Sequence, residues 1–578
     1  MGKTQLKLPI GFSAGRSAKQ SCVNLVNMYA EATPAGLSPV TLYSCPTPRI
    51  FSVIGSGAVR GQINAKGTHC AVIGSSLYTV DSSGTSANRG TIDGALLCDM
   101  AYDGVTVTIV SDARAYAYNP VTGVLQELLD TDLINPTSVC TLDQYTIFTR
   151  RGTGIIQWSE LGDGTNYDGL DFAAAETSPD NAVAVRAAQQ ELVIFGEDSI
   201  EFFRNTGDPT QIFQRASGAS PIEVGTVSRD CIAIMDNSFY WLGRDRNSNG
   251  LLIYRAEGYQ AKRISNHAIE TLLESVTDIS TVQSYAYAQQ GHSYFHMTIP
   301  DVATLVYDAA TNEWHQRVKG SYPATARLPV ADVGLHTFSM NGARPVQKPI
   351  VGSDDGNLYE LTFDTFAQSG TTDEVSAGAS YTYVAGDAKK RKIRAHTTSM
   401  TDTLPTAGST GFESGRQFIV RATGGQITIT PSSGTINGAA TLVVADGAEY
   451  RLVASGTNWL AYLYTHVGVV REVTFAPIYN GNQYLTFTGF DLVCQTGGTV
   501  GPGDPEPMAE LYWSDDGGET FKGGVAKSLG AIGERELTVR WRQNMGRGRN
   551  RVFRVRTAAP VDFTVLDAHV YAGPGAQA

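Results

Sequence analysis

The stretch VTVTIVSDARAYAYNPVTG, residues 105–123, contains the pattern that decides the fold. A β-branched run ends at Ser111-Asp112, and a second run of alternating alanine and tyrosine ends at Asn119-Pro120. Short runs bounded by Asp, Asn, Gly and Ser are typical of strands joined by tight turns, because Asp and Asn side chains bond the backbone two residues on. The stretch therefore predicts a β-hairpin.

The same layout recurs along the first two thirds of the chain, at 71–85, 239–258, 304–314 and 351–361. Recurring hairpins without helical runs between them favour a β-propeller or stacked sandwiches. Their spacing is irregular, so no repeat length can be assigned. One amphipathic helix is predicted at 265–275, with Ser265 as its N-cap.

Changes in pattern divide this mainly β chain into five segments. We predict a β-propeller-like core and an inserted small β-sandwich or jelly roll. We also predict an irregular N-terminal arm that lies on its own domain or on a neighbouring chain and serves intersubunit or adaptor contact. Residues 366–380 form a predicted linker, and the loop 497–508 is rich in Gly and Pro. The segments are 1–50 (arm), 51–370 (propeller-like core), 371–468 (insert), 469–572 (return to the core and C-terminal β domain) and 573–578 (disordered tail).

Composition excludes several classes of protein. The chain has 578 residues, of which 61 are glycine and only 17% are charged, so it is neither disordered nor a coiled coil. No apolar run is long enough for a membrane span. The formal net charge of −12 opposes tight non-specific binding of nucleic acid. The seven cysteines form no CxxC pair, which indicates buried thiols and not disulfides or a zinc knuckle.

No catalytic, cofactor or metal motif is predicted. Gly11–Gly15 matches GxSxG, but it lacks the flanking strand and helix of a nucleophile elbow. His292 and His296 lie about 13 Å apart along a predicted strand, too far for one metal. A turn at 514–521 matches the Asp-box of sialidase-type propellers, where the motif is structural. Its residues are Ser514, Asp516, Gly518, Thr520 and Phe521.

Two basic segments stand out from the acidic whole. Residues 389–394, at the border of the insert, are predicted to be a solvated linker. The second segment, 540–556, is an interface with an acidic partner or DNA, or else the solvated face of a strand whose core residues include Trp541 and Phe553. Its seven candidate interface residues are Arg540, Arg542, Arg547, Arg549, Arg551, Arg554 and Arg556.

Three separated blocks, in order, resemble a phage tail family: the packaged-DNA stabilisation protein, or tail hub (nozzle), of short-tailed bacteriophages. The insert resembles a phage tail-fibre β-module at 425–431, 436–442 and 455–459. The blocks are Gln20, Cys22–Leu25, Tyr29–Glu31, Thr47-Pro48 and Val59–Gly61 near the N-terminus, then Leu511–Gly518 with Leu529–Glu534, and then Arg551–Arg556.

The resemblance implies a structural protein and not an enzyme. Such hubs form a homo-hexameric ring below the portal and its adaptor, close or extend the DNA channel, and anchor tailspikes, fibres and a tail needle or plug. The genome passes through without sequence-specific binding. Assembly in the bacterial host cytoplasm and residence in the virion tail are expected. The alternatives are a sialidase-like or depolymerase propeller active on glycans, and a receptor-binding fibre protein.

Overall fold

The computed structural model describes residues 2–574, apart from 15–20, 53, 55–56, 66, 83, 176–177, 210, 245–249, 300–301, 319–329, 339–345, 355, 364–371, 414–415, 446–448, 464–468, 499–505, 532 and 560. Strands dominate this part of the chain. A single short α-helix, α1 (His267–Leu273), occurs among these residues, and no helix there has the length and apolar character needed to span a bilayer.

The N-terminal segment, predicted to be irregular, contains short strands whose partners come from other parts of the chain. Its strands are β1 (Gly2–Gln5), β2 (Ser13–Ala14), β3 (Cys22–Val26), β4 (Met28–Ala32), β5 (Val40–Ser44) and β6 (Thr47–Ser52).

Six four-stranded antiparallel units follow, each built from consecutive strands, as the hairpin pattern predicts. Tight turns join the strands, and Asp or Asn occupies the left-handed backbone position in several of them, including Asp112 and Asn237. The strands are β7 (Val59–Ala65), β8 (Thr68–Ile73), β9 (Ser76–Val80), β10 (Ser86–Thr91); β11 (Asp99–Tyr102), β12 (Val107–Ser111), β13 (Arg114–Tyr118), β14 (Leu125–Glu127); β15 (Pro136–Leu142), β16 (Tyr145–Arg150), β17 (Ile155–Glu160), β18 (Asp163–Ala174); β19 (Ala182–Ala188), β20 (Glu191–Gly196), β21 (Ile200–Asn205), β22 (Phe213–Arg215); β23 (Ile232–Met235), β24 (Ser238–Arg244), β25 (Leu251–Ala256), β26 (Ala261–Arg263); and β27 (Gln283–Gln289), β28 (His292–Ile299), β29 (Ala303–Asp308), β30 (Glu313–Arg317).

The six units and a further sheet stand in a ring around a central axis. The first strands of neighbouring sheets lie side by side, β7 with β11, β11 with β15, β15 with β19, β23 with β27, and β27 with the further sheet. That sheet consists of β31 (Val330–Phe338), β32 (Val346–Ser353) and β33 (Leu358–Thr362), with β6 on its outer edge. β31 also lies beside β7, so the last sheet meets the first and the ring is closed. The N-terminal strand β6 supplies the outer strand of that last sheet. The predicted propeller is therefore confirmed.

The helix begins one residue later than its sequence predicts. Asn266, and not Ser265, is the N-cap, and its side-chain oxygen accepts from the backbone N–H of Ile269 at 3.0 Å. The Ser265 hydroxyl instead donates to Glu270 Oε1 at 2.8 Å. Both residues are good caps, so sequence alone does not choose between them.

The insert has two packed sheets, as predicted, but not the connectivity of a jelly roll. The chain alternates between the sheets, so β34, β36 and β38 are parallel in one sheet, and β35, β37 and β39 are parallel in the other. Alternating apolar residues predict an inner and an outer face but not strand direction. The strands are β34 (Thr372–Ala377), β35 (Ser380–Thr382), β36 (Lys390–Ala395), β37 (Met400–Leu404), β38 (Gln417–Thr423), β39 (Ile427–Pro431), β40 (Leu442–Val444), β41 (Glu449–Ser455) and β42 (Asn458–Leu463).

Two expectations about the border of the insert are wrong. The predicted linker 366–380 contains β34 and the start of β35, although its first residues, up to 371, lie outside the described residues. The basic run 389–394 is not a solvated linker, because Lys392 and Arg394 are fully buried. Their positive charges face carboxylates from elsewhere in the module, which the run itself does not show.

The C-terminal segment folds as a β-sandwich that the N-terminal arm completes. One sheet runs β4-β5-β51-β45-β48, with β1 also paired to β51; the other runs β3-β43-β50-β46-β47 and continues into the propeller, where β3 lies parallel to β30. The predicted tail begins too early, since Gly573 and Pro574 belong to the last strand, and 575–578 lie outside the described residues. The strands are β43 (Arg471–Thr474), β44 (Ile478–Tyr479), β45 (Leu485–Cys494), β46 (Met508–Ser514), β47 (Lys522–Ser528), β48 (Val539–Arg542), β49 (Arg547–Gly548), β50 (Asn550–Thr557) and β51 (Val565–Pro574).

The arm is therefore extended, as predicted, but it is not irregular. Three of its strands, β1, β3 and β5, pair with residues more than 400 positions away, and Leu25, Met28 and Leu42 lie in the same core as Phe490 and Phe553. The arm thus packs on the sandwich of its own chain, and contact with another subunit or an adaptor stays a prediction.

Candidate functional site

Four of the seven candidate arginines are already paired with carboxylates of the same chain. Each lies on β48 or β50, and each partner lies on a strand or turn beside it. Charge-assisted pairs of this kind hold both side chains in place, so these arginines stabilise the sandwich. The pairs are Arg542 with Asp491, Arg551 with Asp515, Arg554 with Glu472, and Arg556 with Glu510.

Arg551 is the most enclosed of them, with a relative exposure of 1%. Its Nη2 lies 2.6 Å from Asp515 Oδ1, and its Nη1 donates to the Met545 carbonyl at 2.8 Å. The guanidinium carbon also lies 4.4 Å from the ring centroid of Phe487. Arg551 therefore holds the Asp-box turn against the sandwich and presents no charge to a partner.

The other three arginines, Arg540, Arg547 and Arg549, are exposed. The guanidinium carbons of Arg549 and Arg547 lie 4.2 Å and 5.7 Å from the ring centroid of Tyr484, close enough for cation–π attraction. We call Tyr484, Arg547 and Arg549 the arginine patch. It holds two positive charges in an ordered, solvent-facing position on an acidic protein.

The Asp-box is structural, as its sequence predicts. Asp516 Oδ1 accepts from the backbone N–H groups of Glu519 and Thr520, each at 3.0 Å, and Ser514 Oγ accepts from Gly518 N at 2.9 Å. Burial opposes ionisation, but the hydrogen bonds from Ser514, Thr520 and the turn amides lower the pKa of Asp516. The hydrogen bonds that the Asp516 carboxylate accepts therefore all lie within the turn.

Phe521 supports a charged neighbour and not an apolar core. The Arg554 guanidinium carbon lies 3.5 Å from the Phe521 ring centroid, while its Nε is 3.1 Å from Glu472 Oε1. The aromatic residue that ends the motif thus covers an ion pair between β43 and β50.

Two cavities lie along the central axis of the propeller, with volumes of about 630 and 550 Å³. Their walls share Arg60, Leu97, Arg229, Asp230 and Gln283. Cavities of this size match small-molecule sites. A DNA duplex, whose major groove alone is about 12 Å wide, does not fit.

Arginines connect opposite sides of this axis. Arg229, just before β23, donates to the carbonyls of Leu97 at 2.8 Å and Thr137 at 2.7 Å. Arg186 on β19 donates to Asp99 Oδ2 on β11 at 2.8 Å. These bonds join non-adjacent sheets and brace the propeller across its axis at this level.

Two of the carboxylates along the axis, Asp99 and Asp230, are engaged in these bonds. Burial opposes ionisation of Asp99, but Arg186, Arg229 and the Ser138 hydroxyl lower its pKa. Asp230 Oδ1 lies 2.9 Å from Arg229 Nε. A glycan-active site would need a protonated acid facing the cavity, and these paired groups do not provide one. The described residues also contain no cluster of three or more His, Cys, Asp or Glu suited to a metal ion.

His292 has a role that its sequence does not show. Its Nδ1 is 2.7 Å from Asp308 Oδ2, and its Nε2 is 3.1 Å from Glu31 Oε1 on the arm. The imidazole thus bridges the propeller and the N-terminal arm. His296 is fully buried, and burial lowers its pKa well below the usual value.

Sequence reasoning also missed Asn27, which joins the propeller to the sandwich. Its carboxamide donates to the carbonyls of Val318 at 3.2 Å and Val470 at 2.8 Å, and its Oδ1 accepts from Val318 N at 3.1 Å. These are the points where the chain leaves β30 and returns to β43. The one local signal is that Asn tolerates the left-handed backbone found here, with φ of 53°.

Residues 4–325 match the family described as bacteriophage P22 Gp10, β-propeller, and residues 471–573 match its β-sandwich. The chain belongs to the bacteriophage P22 Gp10 family. This confirms the resemblance, and the chain is a structural protein of a phage virion tail. The two Gp10 matches leave out 326–470, which holds the closing sheet and the inserted module.

Comparison with curated proteins finds no match. Solved structures that are similar to the chain include the mitotic checkpoint complex (10% identity, 55% of this chain and 94% of that chain, TM-score 0.36). They also include the Neurospora crassa Pan2 WD40 domain (6% identity, 53% and 89%, TM-score 0.34). A third is YCF48 bound to D1 peptide (13% identity, 56% and 99%, TM-score 0.35).

Because Arg551 is buried and ion-paired while Arg549 is exposed, the two are expected to differ in their contribution to stability. Arg551→Ser is expected to destabilise the sandwich by about 3–5 kcal/mol, because it leaves Asp515 and the Met545 carbonyl without their buried partner. Arg549→Ser is the matched control, since its side chain is exposed, and a change within about 0.5 kcal/mol is expected. Urea unfolding of the two variants measures the difference, and equal stabilities would contradict the structural role of Arg551.

Proposed function

We propose that the chain forms a homo-hexameric ring below the portal and adaptor of a short-tailed phage. There it extends or closes the DNA channel, retains packaged DNA, and anchors tailspikes or fibres and a tail needle or plug until ejection. We propose no enzymatic activity and no cofactor. The observation that carries the proposal is membership of the Gp10 family together with the arginine-braced propeller axis.

The braced axis matters because it decides where DNA would run. If each propeller is shut by Arg186 and Arg229, a DNA passage has to lie between copies of the chain. The formal charge of −12 per copy suits such a passage, because acidic walls repel phosphates and let the duplex slide. All seven cysteines are free, which agrees with assembly in the reducing host cytoplasm.

The inserted module is the proposed element for fibre or spike attachment. It lies outside both Gp10 matches, has its own core around Phe418, Ile429 and Trp459, and resembles a tail-fibre module in sequence. An added module with a separate core can serve attachment without changing the ring.

Mass photometry and electron microscopy of the purified chain with its adaptor ring test the proposal. We expect a ring of six copies for the full chain, with six times the mass of the 61.8 kDa protomer, and a ring of six correspondingly lighter copies when 371–468 is replaced by a Gly-Ser linker. Virions carrying the shortened chain should retain DNA but lose fibres or spikes. A full chain that stays monomeric with the adaptor would refute the ring, and loss of DNA retention on shortening would refute the attachment role.

A further inference from the structure

Exposed apolar side chains concentrate on one side of the propeller. Leu129 and Leu170 have relative exposures of 79% and 83%, and Ile134 and Phe172 are also exposed. In contrast, Ile234 is the one exposed large hydrophobic residue among those described between β19 and β30. Apolar patches of this kind mark interaction surfaces more often than chance.

These four residues form one strip on the outer edge of the third sheet. The loop 129–134 lies along β18, because Tyr167 N donates to Asp130 Oδ2 at 3.1 Å and Ile134 N donates to Gln157 Oε1 at 3.3 Å. Gln157 in turn pairs with Phe172 in the sheet. We call Leu129, Ile134, Leu170 and Phe172 the rim strip.

Acidic side chains surround the rim strip. Asp168, Leu170 and Phe172 on β18 are all exposed, whereas Gly169 and Asp171 between them are partly buried. Asp132, Asp143, Glu160 and Asp163 are also exposed. Burial raises the pKa of the Tyr145 hydroxyl, and Asp171, Glu160 and Asp143 raise it further. Burial, and then repulsion from Asp168 and Glu160, raise the pKa of Asp171, so these carboxylates act on one another.

One cation enters the rim strip without neutralising its acidic border. Arg150 donates from Nε to Gln157 Oε1 at 2.6 Å, and its guanidinium carbon lies 5.5 Å from the Phe172 ring centroid. The border therefore remains available to positive charges from outside.

The arginine patch and the rim strip lie on different parts of the fold. The sandwich joins the propeller at the sixth sheet, through β3 and β30, whereas the rim strip lies on the third sheet, across the ring. The two surfaces are complementary in charge. They can meet between copies, head to tail, and contacts of that heterologous type generate rings when the rotation closes.

We propose that the rim strip of one copy docks on the arginine patch of the next, so that Leu129 and Leu170 are covered while Arg547 and Arg549 face Asp163 and Asp168. The occupant is a second copy of this chain, because the chain itself supplies the opposite charge. The inference rests on the ring proposed above and names the surfaces that build it.

Charge reversal in the full chain tests the pairing. We expect Asp163→Lys/Asp168→Lys, and separately Arg547→Glu/Arg549→Glu, to raise the protein concentration needed for half-maximal ring formation at least tenfold. A chain carrying all four changes restores opposite charges at every contact and should recover most of the assembly. Leu129→Ser/Leu170→Ser should weaken assembly with less dependence on salt. Val443→Ser, an exposed apolar change on the insert, is the matched control.

Each result of this experiment is decisive. If wild-type rings form and no reversal weakens them, the inference is wrong and the ring stands. If both reversals weaken assembly but the fourfold variant does not recover, the two surfaces do not face each other and the pairing is wrong. If the rings of rim-strip variants are normal but their virions lose spikes or fibres, the rim strip serves another partner. A wild-type chain that never assembles overturns both proposals. Unchanged thermal unfolding of each variant excludes misfolding as the cause.

Discussion

Asp402→Ala is expected to destabilise the inserted module by about 3–5 kcal/mol, because it leaves a buried guanidinium without its counter-charge. Arg394 and Asp402 are both fully buried, and Arg394 Nε lies 2.9 Å from Asp402 Oδ2. The other donors of Arg394 are used as well, by the carbonyls of Ser376 at 2.7 Å and Gly378 at 3.0 Å. The whole network thus depends on Asp402 for its negative charge.

Hydrogen exchange followed by mass spectrometry measures this loss inside the module while the propeller serves as an internal reference. Peptides from β36 and β38 should lose protection in Asp402→Ala, and peptides from β20 and β24 should not. The double variant Arg394→Met/Asp402→Leu removes both charges and should recover most of the stability. Glu257→Gln breaks the exposed pair with Lys262 and should cost less than about 1 kcal/mol. If Asp402→Ala and Glu257→Gln have equal effects, the buried network contributes nothing.

The ion pair between Arg394 and Asp402 is a contact that the sequence could not predict. A run such as 389–394 is usually solvated, and the identity of its partners depends on how β36 and β37 face each other across the module. The hairpins of the propeller could be predicted because their turn residues are local, as at Ser111-Asp112. The closing pair β6–β33 could not, because it joins residues about 310 positions apart and neither strand is unusual by itself.

The candidate interface arginines fall into an ion-paired group and an exposed group, and the sequence could not separate the groups because the partners lie on distant strands. The sequence of β50 shows alternating arginines, but the carboxylates that bind Arg554 and Arg556 come from β43 and β46. Only the three-dimensional structure separates these two from Arg547 and Arg549, which are exposed and lie beside the Tyr484 ring. The residue types could predict an arginine-rich surface, whereas the surroundings of each guanidinium depend on strands that are distant in the sequence.

Asn27→Ala is expected to lower the free energy of unfolding by about 3–5 kcal/mol, from two separate causes. Removing the carboxamide leaves the N–H and carbonyl of Val318 and the carbonyl of Val470 buried without these partners. Alanine also adopts the left-handed backbone at φ of 53° less readily than asparagine. Urea unfolding of the full chain measures the total.

Three variants separate these causes. Asn482 has φ of 65° in an exposed turn, so Asn482→Ala should show the backbone cost alone, about 1 kcal/mol. Asn27→Gly removes that cost but not the lost hydrogen bonds, and should lie between wild type and Asn27→Ala. Asn27→Asp keeps an acceptor for Val318 N but sets a carboxylate against two carbonyls, so it should be at least as harmful as Asn27→Gly.

The shape of the transition tests the junction itself. Asn27 binds the chain where it leaves the propeller and where it returns to the sandwich, so its loss should uncouple the two, and one cooperative transition should become two. If Asn27→Ala unfolds in one step and loses no more than Asn482→Ala, the carboxamide does not hold the junction. The shared sheet through β3 and β30 would then be sufficient to keep the propeller and the sandwich together.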